Sequence, residues 1–195
     1  MCAIAYHTVT GRHTPLPRYR PRLSLIEGFM NPTDLRGLHL TQTGRLYTLT
    51  ARQWLPLLPE ALFPFYADAS NLERITPPFL RFRVVTPLPI EMREGAVIDY
   101  RLRLRGIPVG WRTHITWWDP PHGFRDEQVK GPYVLWRHTH TFEKDGEGTM
   151  TTDRVQYIVP GGPMAPWVHD LAVRDDVQAI FRYRAGVLPS MFSRG

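Results

Sequence analysis

Cysteine and long apolar runs are both scarce in this chain of 195 residues, and their scarcity narrows the class of protein it can be. The single cysteine, Cys2, excludes a disulfide framework and a cysteine metal site, which favours a cytosolic protein over a secreted one. No stretch of about 18 apolar residues occurs, so no membrane-spanning segment is predicted. The first residues also lack the charged and apolar regions of a secretory signal, and we therefore expect a cytoplasmic location.

Sequence motifs of the common catalytic classes are missing as well. The PGGP segment at 160–163 lacks the spacing of phosphate-binding loops, and no GxSxG nucleophile elbow or HExxH zinc motif occurs. Cys2 lies in a segment with the composition of a tail, so a cysteine nucleophile is also excluded. No cofactor is predicted, and the function has to be argued from the residues of a pocket.

The formal net charge of +6 is unevenly distributed along the chain. Residues 1–45 contain six arginines against Glu27 and Asp34, whereas the rest of the chain contains 18 basic and 16 acidic residues. A basic tail can contact nucleic acid or anionic lipid, but the body lacks the basic stripe of a nucleic-acid-binding face. No nucleic-acid partner is therefore expected.

Residues 1–44 are predicted to be an N-terminal extension that packs poorly on the rest of the chain. Their HTPLPRYRPR segment holds three prolines within seven residues, a density that excludes a helix or a central strand. Concentrated charge and proline are typical of solvated tails. Met30 is a second candidate for the start of the protein beside Met1.

From residue 45 onward, hydrophobic periodicity predicts a strand, two short helices, six strands and a long last helix. The first short helix begins at Pro59 and contains Pro64, which should kink or shorten it. The second covers 71–75 and begins with a Ser70–Glu73 capping box. The first strand and the six later ones are RLYTLTARQWL, FLRFRVV, AVIDYRLRL, GWRTHITWW, GFRDEQVK, YVLWRHTHTFE and TMTTDRVQYIV.

The last helix is predicted to begin at Pro166 and to end near Arg184, with an apolar face at 3.6-residue spacing. That face consists of Val173, Val177, Ile180, Arg184 and Leu188. Short turns between consecutive strands imply antiparallel neighbours, and a curved sheet needs an apolar element over its inner face. The predicted fold class is therefore α+β, with a curved seven-stranded antiparallel sheet, two short helices and a long C-terminal helix over a cavity.

Three segments carry a resemblance to a known superfamily: NLERITPPFL at 71–80, WWDPPHGFRDEQVKGPYVLWRHTHTF at 117–142 and GTMTTDRVQYIVPGG at 148–162. With the order of elements, they resemble the START-like (SRPBCC) superfamily of polyketide cyclase/dehydratase and lipid transport proteins. Within it, uncharacterised bacterial ligand-binding members are the most similar. The resemblance implies a helix-grip fold and a ligand-binding domain over 45–192. The extension and Pro64 depart from the superfamily pattern.

The strand YVLWRHTHTFE places Trp136, His138, His140 and Phe142 on one face, because side chains alternate along a strand. Aromatic side chains of this size belong inside a domain, so both histidines should face the cavity. The same alternation on the neighbouring strands, together with the last helix, predicts a mostly aromatic pocket with a few polar groups. Its predicted lining is Tyr100, Trp111, Trp117, Phe124, Gln128, Trp136, His138, His140, Phe142, Tyr157, Val177 and Phe181.

Several functions are compatible with such a pocket. Its residues can bind an apolar or amphipathic small molecule, such as a lipid, a polyketide-like compound or an aromatic compound. Alternatively, His138 or His140 paired with Asp126 or Asp153 transfers protons in a cyclase/dehydratase-type enzyme, a kind that the superfamily contains. The His-x-His pair could also bind a metal with one carboxylate, but this spacing is common by chance and we predict no metal. A core whose polar groups satisfy one another is the remaining interpretation. The ligand, the reaction and the oligomeric state are not specified by the sequence.

Overall fold

An antiparallel sheet of eight strands organises residues 37–192, the part of the chain that the computed structural model describes. The spatial order of the strands is β1-β2-β8-β7-β6-β5-β4-β3, so the only long jump along the chain is between β2 and β8. The strands are β1 (Leu38–Thr43), β2 (Leu46–Leu55), β3 (Arg83–Val84), β4 (Val97–Leu104), β5 (Ile107–Asp119), β6 (Gly123–Lys130), β7 (Leu135–Asp145) and β8 (Gly148–Ile158).

The predicted number of seven strands was one too few. The additional strand, β1, lies inside the segment 1–44 that was expected to pack poorly, and it pairs with β2 from Leu38 opposite Ala51 to Thr43 opposite Leu46. Gly44 has a φ of 58°, which allows the tight turn between the two strands. Most β1 side chains are exposed, because this is an edge strand, so the sequence carries no strong alternation there. Residues 1–36 lie outside the described part of the chain, and the expectation for them stays a prediction.

The segment between β2 and β4 contains less regular structure than its sequence suggested. Helix α1 spans Pro59–Tyr66 and continues through Pro64. The predicted second helix is a 3₁₀ turn at Ala69–Glu73, and its cap is the Asp68 carboxylate, which accepts a hydrogen bond from the Ser70 N–H at 2.9 Å. The predicted capping box was therefore wrong.

The strand FLRFRVV was predicted at full length, but only its last part pairs with β4. Its beginning forms a second 3₁₀ turn at Pro78–Leu80. Glu73 accepts hydrogen bonds from the Val84 N–H and from Arg83, and thus fastens this short strand to the preceding turn. The sheet is consequently narrow at this edge, and the turns after α1 can fold over its inner face.

The C-terminal helical segment covers residues 165–192 and extends beyond its predicted end near Arg184. It consists of α2 (Ala165–Val168), a π-helical turn at His169–Val173, and α3 (Arg174–Phe192). The buried face of α3 contains Phe181 where the spacing predicted Ile180, which is half-buried and lines the cavity. The buried residues of α3 are Val177, Phe181, Arg184 and Leu188.

The inner face of the sheet packs against these helices in three buried groups, with a cavity left between them. One group joins α1 to the ends of β2 and β7 and includes Leu55, Phe63, Phe142 and Leu188. A second joins β2 and β8 to α3 and includes Tyr47, Leu49, Val155, Tyr157 and Val177. A third, smaller group joins the turns after α1 to β4 and consists of Ala69, Ile98 and Tyr100. Within 37–192, no helix is both long and apolar enough to span a membrane.

Candidate functional site

A cavity of about 160 Å³ lies between the inner face of β4–β7, the turns that follow α1, and α3. It is small for a ligand pocket, since such sites usually measure about 300–1,000 Å³. Its size is comparable to the roughly 150 Å³ engineered apolar cavity that admits benzene. Among the residues predicted from the sequence, those that line it are Tyr100, Trp111, Phe124, Asp126, Trp136, His138 and His140.

Two residues of the predicted lining, Trp117 and Gln128, do not reach the cavity. The register between β5 and β6 shifts after Ile115, so that Trp117 lies opposite Arg125 and the alternation of side chains inverts. Trp118 therefore turns inward and packs on Phe124, while Trp117 does not line the cavity. Gln128 precedes another shift and is occupied with the backbone of Tyr133, donating to its carbonyl oxygen at 2.7 Å.

The remaining predicted lining residues belong to the packed groups around the cavity. Phe142 contacts Phe63 on α1, with ring centroids 5.6 Å apart. Tyr157 and Val177 are buried in the group that joins β2 and β8 to α3. Phe181 lies in the same group and packs edge to face against the His138 ring, with ring centroids 5.6 Å apart. These residues shape the cavity wall without reaching its surface.

The two histidines of β7 sit between carboxylates on both neighbouring strands. The register places Asp126 of β6 opposite His138, and Asp153 of β8 opposite His140. Side chains opposite one another on the same face of a sheet have Cβ atoms about 5 Å apart, which is within reach of an imidazole and a carboxylate. The alternation along β7 therefore brings four titratable groups to one end of the cavity.

Asp153 is the centre of this cluster. Its Oδ1 lies 2.9 Å from Nε2 of His138, a hydrogen bond, and 2.7 Å from Nδ1 of His140. The second contact is short but not aligned as a hydrogen bond, so it is a charge contact. The guanidinium of Arg184 reaches over from α3, with Nη1 3.6 Å from the same oxygen. All four side chains are at least nine-tenths buried.

Asp126 faces the same imidazoles from the opposite side. Its Oδ1 accepts a hydrogen bond from the Thr113 hydroxyl at 3.1 Å. Its Oδ2 lies 3.6 Å from Nε2 of His140 and 3.8 Å from Nδ1 of His138, distances too long for hydrogen bonds. These three residues are also the group that could hold a metal ion, because one ligand atom from each lies within 4.8 Å of the others. Asp153 would then contact the second nitrogen of each ring, as carboxylates commonly do around metal-bound histidines.

The local charges set different protonation preferences for the two histidines. Burial would lower the pKa of His140, but Asp153 and Asp126 outweigh it and raise the pKa above its usual value. The pKa of His138 is lowered by burial and by the neighbouring His140. Burial would raise the pKa of both carboxyl groups, yet the histidines hold the pKa of Asp126 below its usual value and that of Asp153 well below it. The cluster therefore favours two carboxylates, a protonated His140 and a neutral His138.

Sequence reasoning missed several polar residues of the cavity wall, among them Arg184 and Tyr66. Arg184 was counted on the apolar face of the last helix but not assigned to the site. The available signal was its charge, because helical spacing predicts that this position is buried. Tyr66 ends α1, and nothing in its local sequence distinguishes it from a core residue.

Solved structures with the same fold include the protein Ms6760 from Mycobacterium smegmatis, which is 19% identical; the match covers 78% of this chain and 98% of that one, with a TM-score of 0.57. Ara h 8.0201 is 17% identical; the match covers 74% of this chain and 99% of that one, with a TM-score of 0.51. The di-domain ARO/CYC BexL from the BE-7585A biosynthetic pathway is 14% identical, with 79% of this chain and 52% of that one covered and a TM-score of 0.55. No family model matches the chain, and no curated protein resembles it in sequence.

These likenesses confirm the helix-grip fold that the sequence predicted. The START-like superfamily, to which the sequence segments have a resemblance, stays a prediction. Identities below 20% do not carry a ligand or a reaction from one protein to another. The bacterial subgroup suggested by the three sequence segments stays a prediction.

Proposed function

We propose that the protein binds a small apolar or amphipathic molecule in the cavity between its sheet and α3. The observation that carries this proposal is a cavity with mostly apolar walls and a cluster of polar groups at one end. A domain that needed only a stable core would fill such a space, because interiors are packed as densely as organic crystals. The aromatic side chains surround the body of the ligand, and His138, His140, Asp126 and Arg184 contact its polar group.

Of the ligands compatible with the sequence, an aromatic compound fits the size of the cavity best. About 160 Å³ accommodates a compound of one ring with a short substituent, whereas a lipid chain needs the turns after α1 to move away. Trp111 and Trp136 meet edge to face at 5.2 Å and form a rigid part of the wall. A flat ring therefore fits the described shape better than a flexible chain does.

Binding of one-ring probes tests this proposal directly. Ethylbenzene and acetophenone, titrated into the full-length protein and followed by NMR, should bind saturably and shift the signals of Ile98 and Ile115, which line the cavity. Leu102→Trp places a larger side chain in the cavity and should abolish binding while the protein stays folded. Leu171→Trp is the matched control, because Leu171 is 73% exposed and does not line the cavity. Absence of saturable binding by both probes, or equal binding by both variants, would refute the proposal.

A cyclase/dehydratase-type enzyme is the second candidate, and one observation favours it. His138 is hydrogen-bonded to Asp153 at 2.9 Å and at the same time lines the cavity, as a proton-transferring group must. His140 lines the cavity beside it, with a different protonation preference. The pair thus offers one neutral and one protonated imidazole to a bound molecule, the combination that acid/base chemistry requires.

Hydrogen exchange at a bound ketone distinguishes catalysis from binding alone. In D₂O, a general base in the cavity would remove a methyl proton of acetophenone and return a deuteron, which NMR detects as loss of the methyl signal. Exchange faster than in buffer, lost in both His138→Gln and His140→Gln, would support the enzyme. Exchange at the buffer rate, despite saturable binding, would leave the binding function alone.

The cytoplasmic location and the absence of a metal also remain proposals. Elemental analysis of the purified protein tests the second. Stoichiometric zinc or iron that is lost in His140→Ala, but kept in the exposed His122→Ala, would assign a metal to Asp126, His138 and His140 instead.

A further inference from the structure

Besides His140, whose Nδ1 contacts Asp153 at 2.7 Å, two side chains of the cavity wall have buried polar atoms without a hydrogen-bond partner. They are the hydroxyl oxygen of Tyr66 and the Nε and Nη1 atoms of Arg184. Tyr66 is 8% exposed and Arg184 is 6% exposed, and both line the cavity. Buried polar groups nearly always have a partner in a folded protein, so each exception calls for an explanation.

Both residues lie at the same end of the cavity. Nη1 of Arg184 is 3.6 Å from Asp153, and the Tyr66 ring is 6.0 Å from that of His140, which also contacts Asp153. Thr151 is the polar neighbour that acts on the pKa of Tyr66 as a hydrogen-bond partner, the weakest of the influences on it, but the two hydroxyl groups do not meet in the geometry of a full hydrogen bond. The Thr151 hydroxyl hydrogen is itself donated to the carbonyl oxygen of Gln53 at 2.8 Å. The donors of Tyr66 and Arg184 therefore lie at one end of the cavity, and neither makes a well-formed hydrogen bond to an acceptor of the protein.

Both unpartnered groups can donate a hydrogen bond at neutral pH. A guanidinium carries only N–H groups and cannot accept a hydrogen bond. Burial raises the pKa of Tyr66, with the charge of Asp153 acting in the same direction, so its hydroxyl keeps its proton. What is missing at this end of the cavity is an acceptor atom.

The charges of the cluster argue for a neutral acceptor rather than an anion. The carboxyl groups of Asp126 and Asp153 lie at this end of the cavity, and Asp153 is already the ionic partner of Arg184 at 3.6 Å. A ligand carboxylate at Arg184 would therefore stand beside a carboxyl group of the same charge in a buried site, whereas a carbonyl oxygen would satisfy the donors without adding charge.

We infer that the ligand is a neutral ring compound with a carbonyl oxygen that accepts hydrogen bonds from Arg184 and Tyr66. This inference rests on the proposed binding function and specifies the polar group of its ligand. Phe124 and Ile115 line the same cavity and offer apolar surface to the ring. Arg184 and Tyr66 are the residues that would discriminate a ketone from a hydrocarbon of the same shape.

Three probes of similar size separate the contributions to binding: acetophenone carries the carbonyl, ethylbenzene lacks an acceptor, and benzoate carries a negative charge. The wild-type protein should bind acetophenone about tenfold or more tightly than ethylbenzene, since a hydrogen bond from a charged donor contributes that much. Benzoate should bind more weakly than acetophenone at neutral pH. Affinities are measured by NMR titration or calorimetry on the full chain.

Substitution of the two donors then tests their assignment. In Tyr66→Phe and in Arg184→Met, the ratio of acetophenone to ethylbenzene affinity should fall towards one. Tyr157→Phe is the matched control, because its hydroxyl is bonded to His169 and does not line the cavity, and it should keep the wild-type ratio. Tyr66→Phe removes only an unpartnered oxygen, so it gives a folded protein even if Arg184→Met does not.

The outcomes distinguish a failure of the proposed binding function from a failure of carbonyl recognition. If neither acetophenone nor ethylbenzene binds, the proposed function itself fails. If both bind equally well to the wild-type protein, the cavity binds ligands but the carbonyl is not recognised, and only this inference fails. Tighter binding of benzoate than of acetophenone would likewise overturn it, in favour of an anionic ligand.

Discussion

Two buried polar centres lie under α2, α3 and the π turn between them, and they differ in how completely their hydrogen bonds are satisfied. The first is built around His169, which accepts a hydrogen bond from the Tyr157 hydroxyl at 2.9 Å and contacts Asp170 at 3.0 Å. Its ring also stacks on Tyr47 with centroids 3.6 Å apart. The second is the cluster of His138, His140 and their carboxylates, beside which the donors of Arg184 and Tyr66 have no partner.

The contrast shows why burial alone does not identify a functional histidine. His169 is fully buried, neither of its ring nitrogens is left unpaired, and it does not line the cavity. His138 and His140 are almost as buried, yet they line the cavity. We therefore assign the first centre to stability and the second to binding, and the following changes separate the two roles.

The largest effect on stability is expected where α3 packs over the polar centre built around His169. Val177 is 1% exposed and packs in the same group as Tyr47 and Tyr157, so Val177→Asp buries an unpaired charge. We expect a loss of about 4 kcal/mol or more in the free energy of unfolding, measured by urea denaturation. Arg182→Asp, at an exposed position of α3, should change it by about 0.5 kcal/mol or less. Similar stabilities of the two variants would show that the buried face of α3 is wrongly assigned.

Removal of the His169 ring should have the next largest effect. His169→Ala deletes the stacking on Tyr47 and leaves the Tyr157 hydroxyl without an acceptor. We expect a loss of about 3 kcal/mol in the free energy of unfolding. Probe affinity per folded molecule should stay unchanged, because His169 does not line the cavity. A marked loss of affinity in a stable His169→Ala protein would contradict the separation of the two centres.

A matched pair of tyrosine substitutions compares the two centres at the level of a single oxygen atom. Tyr157→Phe leaves His169 without a donor and should lower the free energy of unfolding by about 1–2 kcal/mol. Tyr66→Phe removes a hydroxyl that has no partner, so stability should stay within about 0.5 kcal/mol of the wild type or rise. Thermal and urea unfolding of both variants measure the difference. Equal losses would mean that the Tyr66 hydroxyl has a partner in solution.

The smallest expected effect is on the pH dependence of stability, where the two cavity histidines act in opposite directions. The folded pKa of His140 is raised, so its stabilising contribution is present below about pH 6.5 and is lost as the pH rises through that folded pKa. The folded pKa of His138 is lowered, so its contribution is present above about pH 6.5 and is lost as the pH falls through that folded pKa. The wild-type protein should therefore be most stable near that pH with respect to these two groups.

Urea midpoints at about pH 5.5, 6.5 and 8 measure this effect. His140→Gln should remove the loss of stability on the alkaline side, and His138→Gln should remove the loss of stability on the acid side. Asp126 and Asp153, whose folded pKa values are lowered, lose their stabilising contributions only at more acidic pH and leave this window unchanged. Parallel pH profiles of the two variants would contradict the assigned protonation states.

Much of the fold could be predicted because alternation and helical spacing are local properties. The face of β7 that carries Trp136, His138 and His140 follows directly from its sequence, and so do most bounds of β4–β8. The strand β1 was missed because an edge strand with exposed side chains has no buried alternation to detect. Trp117 was misplaced because the shift after Ile115 depends on pairing with β6, which a single strand does not encode.

The site could be predicted only as far as single elements extend. Alternation brought His138 and His140 to the inner face, but which carboxylate lies opposite each ring depends on hairpin register. Arg184 and Tyr66 come from separate helices, and their meeting at one end of the cavity depends on how α1 and α3 pack on the sheet. No local pattern in the sequence indicates that these two side chains lie close together.

The sequence by itself determined the α+β class, the antiparallel strands, the last helix and the inward face of the two histidines, because each depends on the period of a continuous segment. Tertiary structure alone decided that His169 is satisfied while Tyr66 and Arg184 are not. Whether a buried donor finds an acceptor depends on distances of about 3 Å between residues far apart in the chain. Those distances are set by the packing of helices on a twisted sheet, which places the unpaired donors, and with them the candidate ligand site, at one end of the cavity.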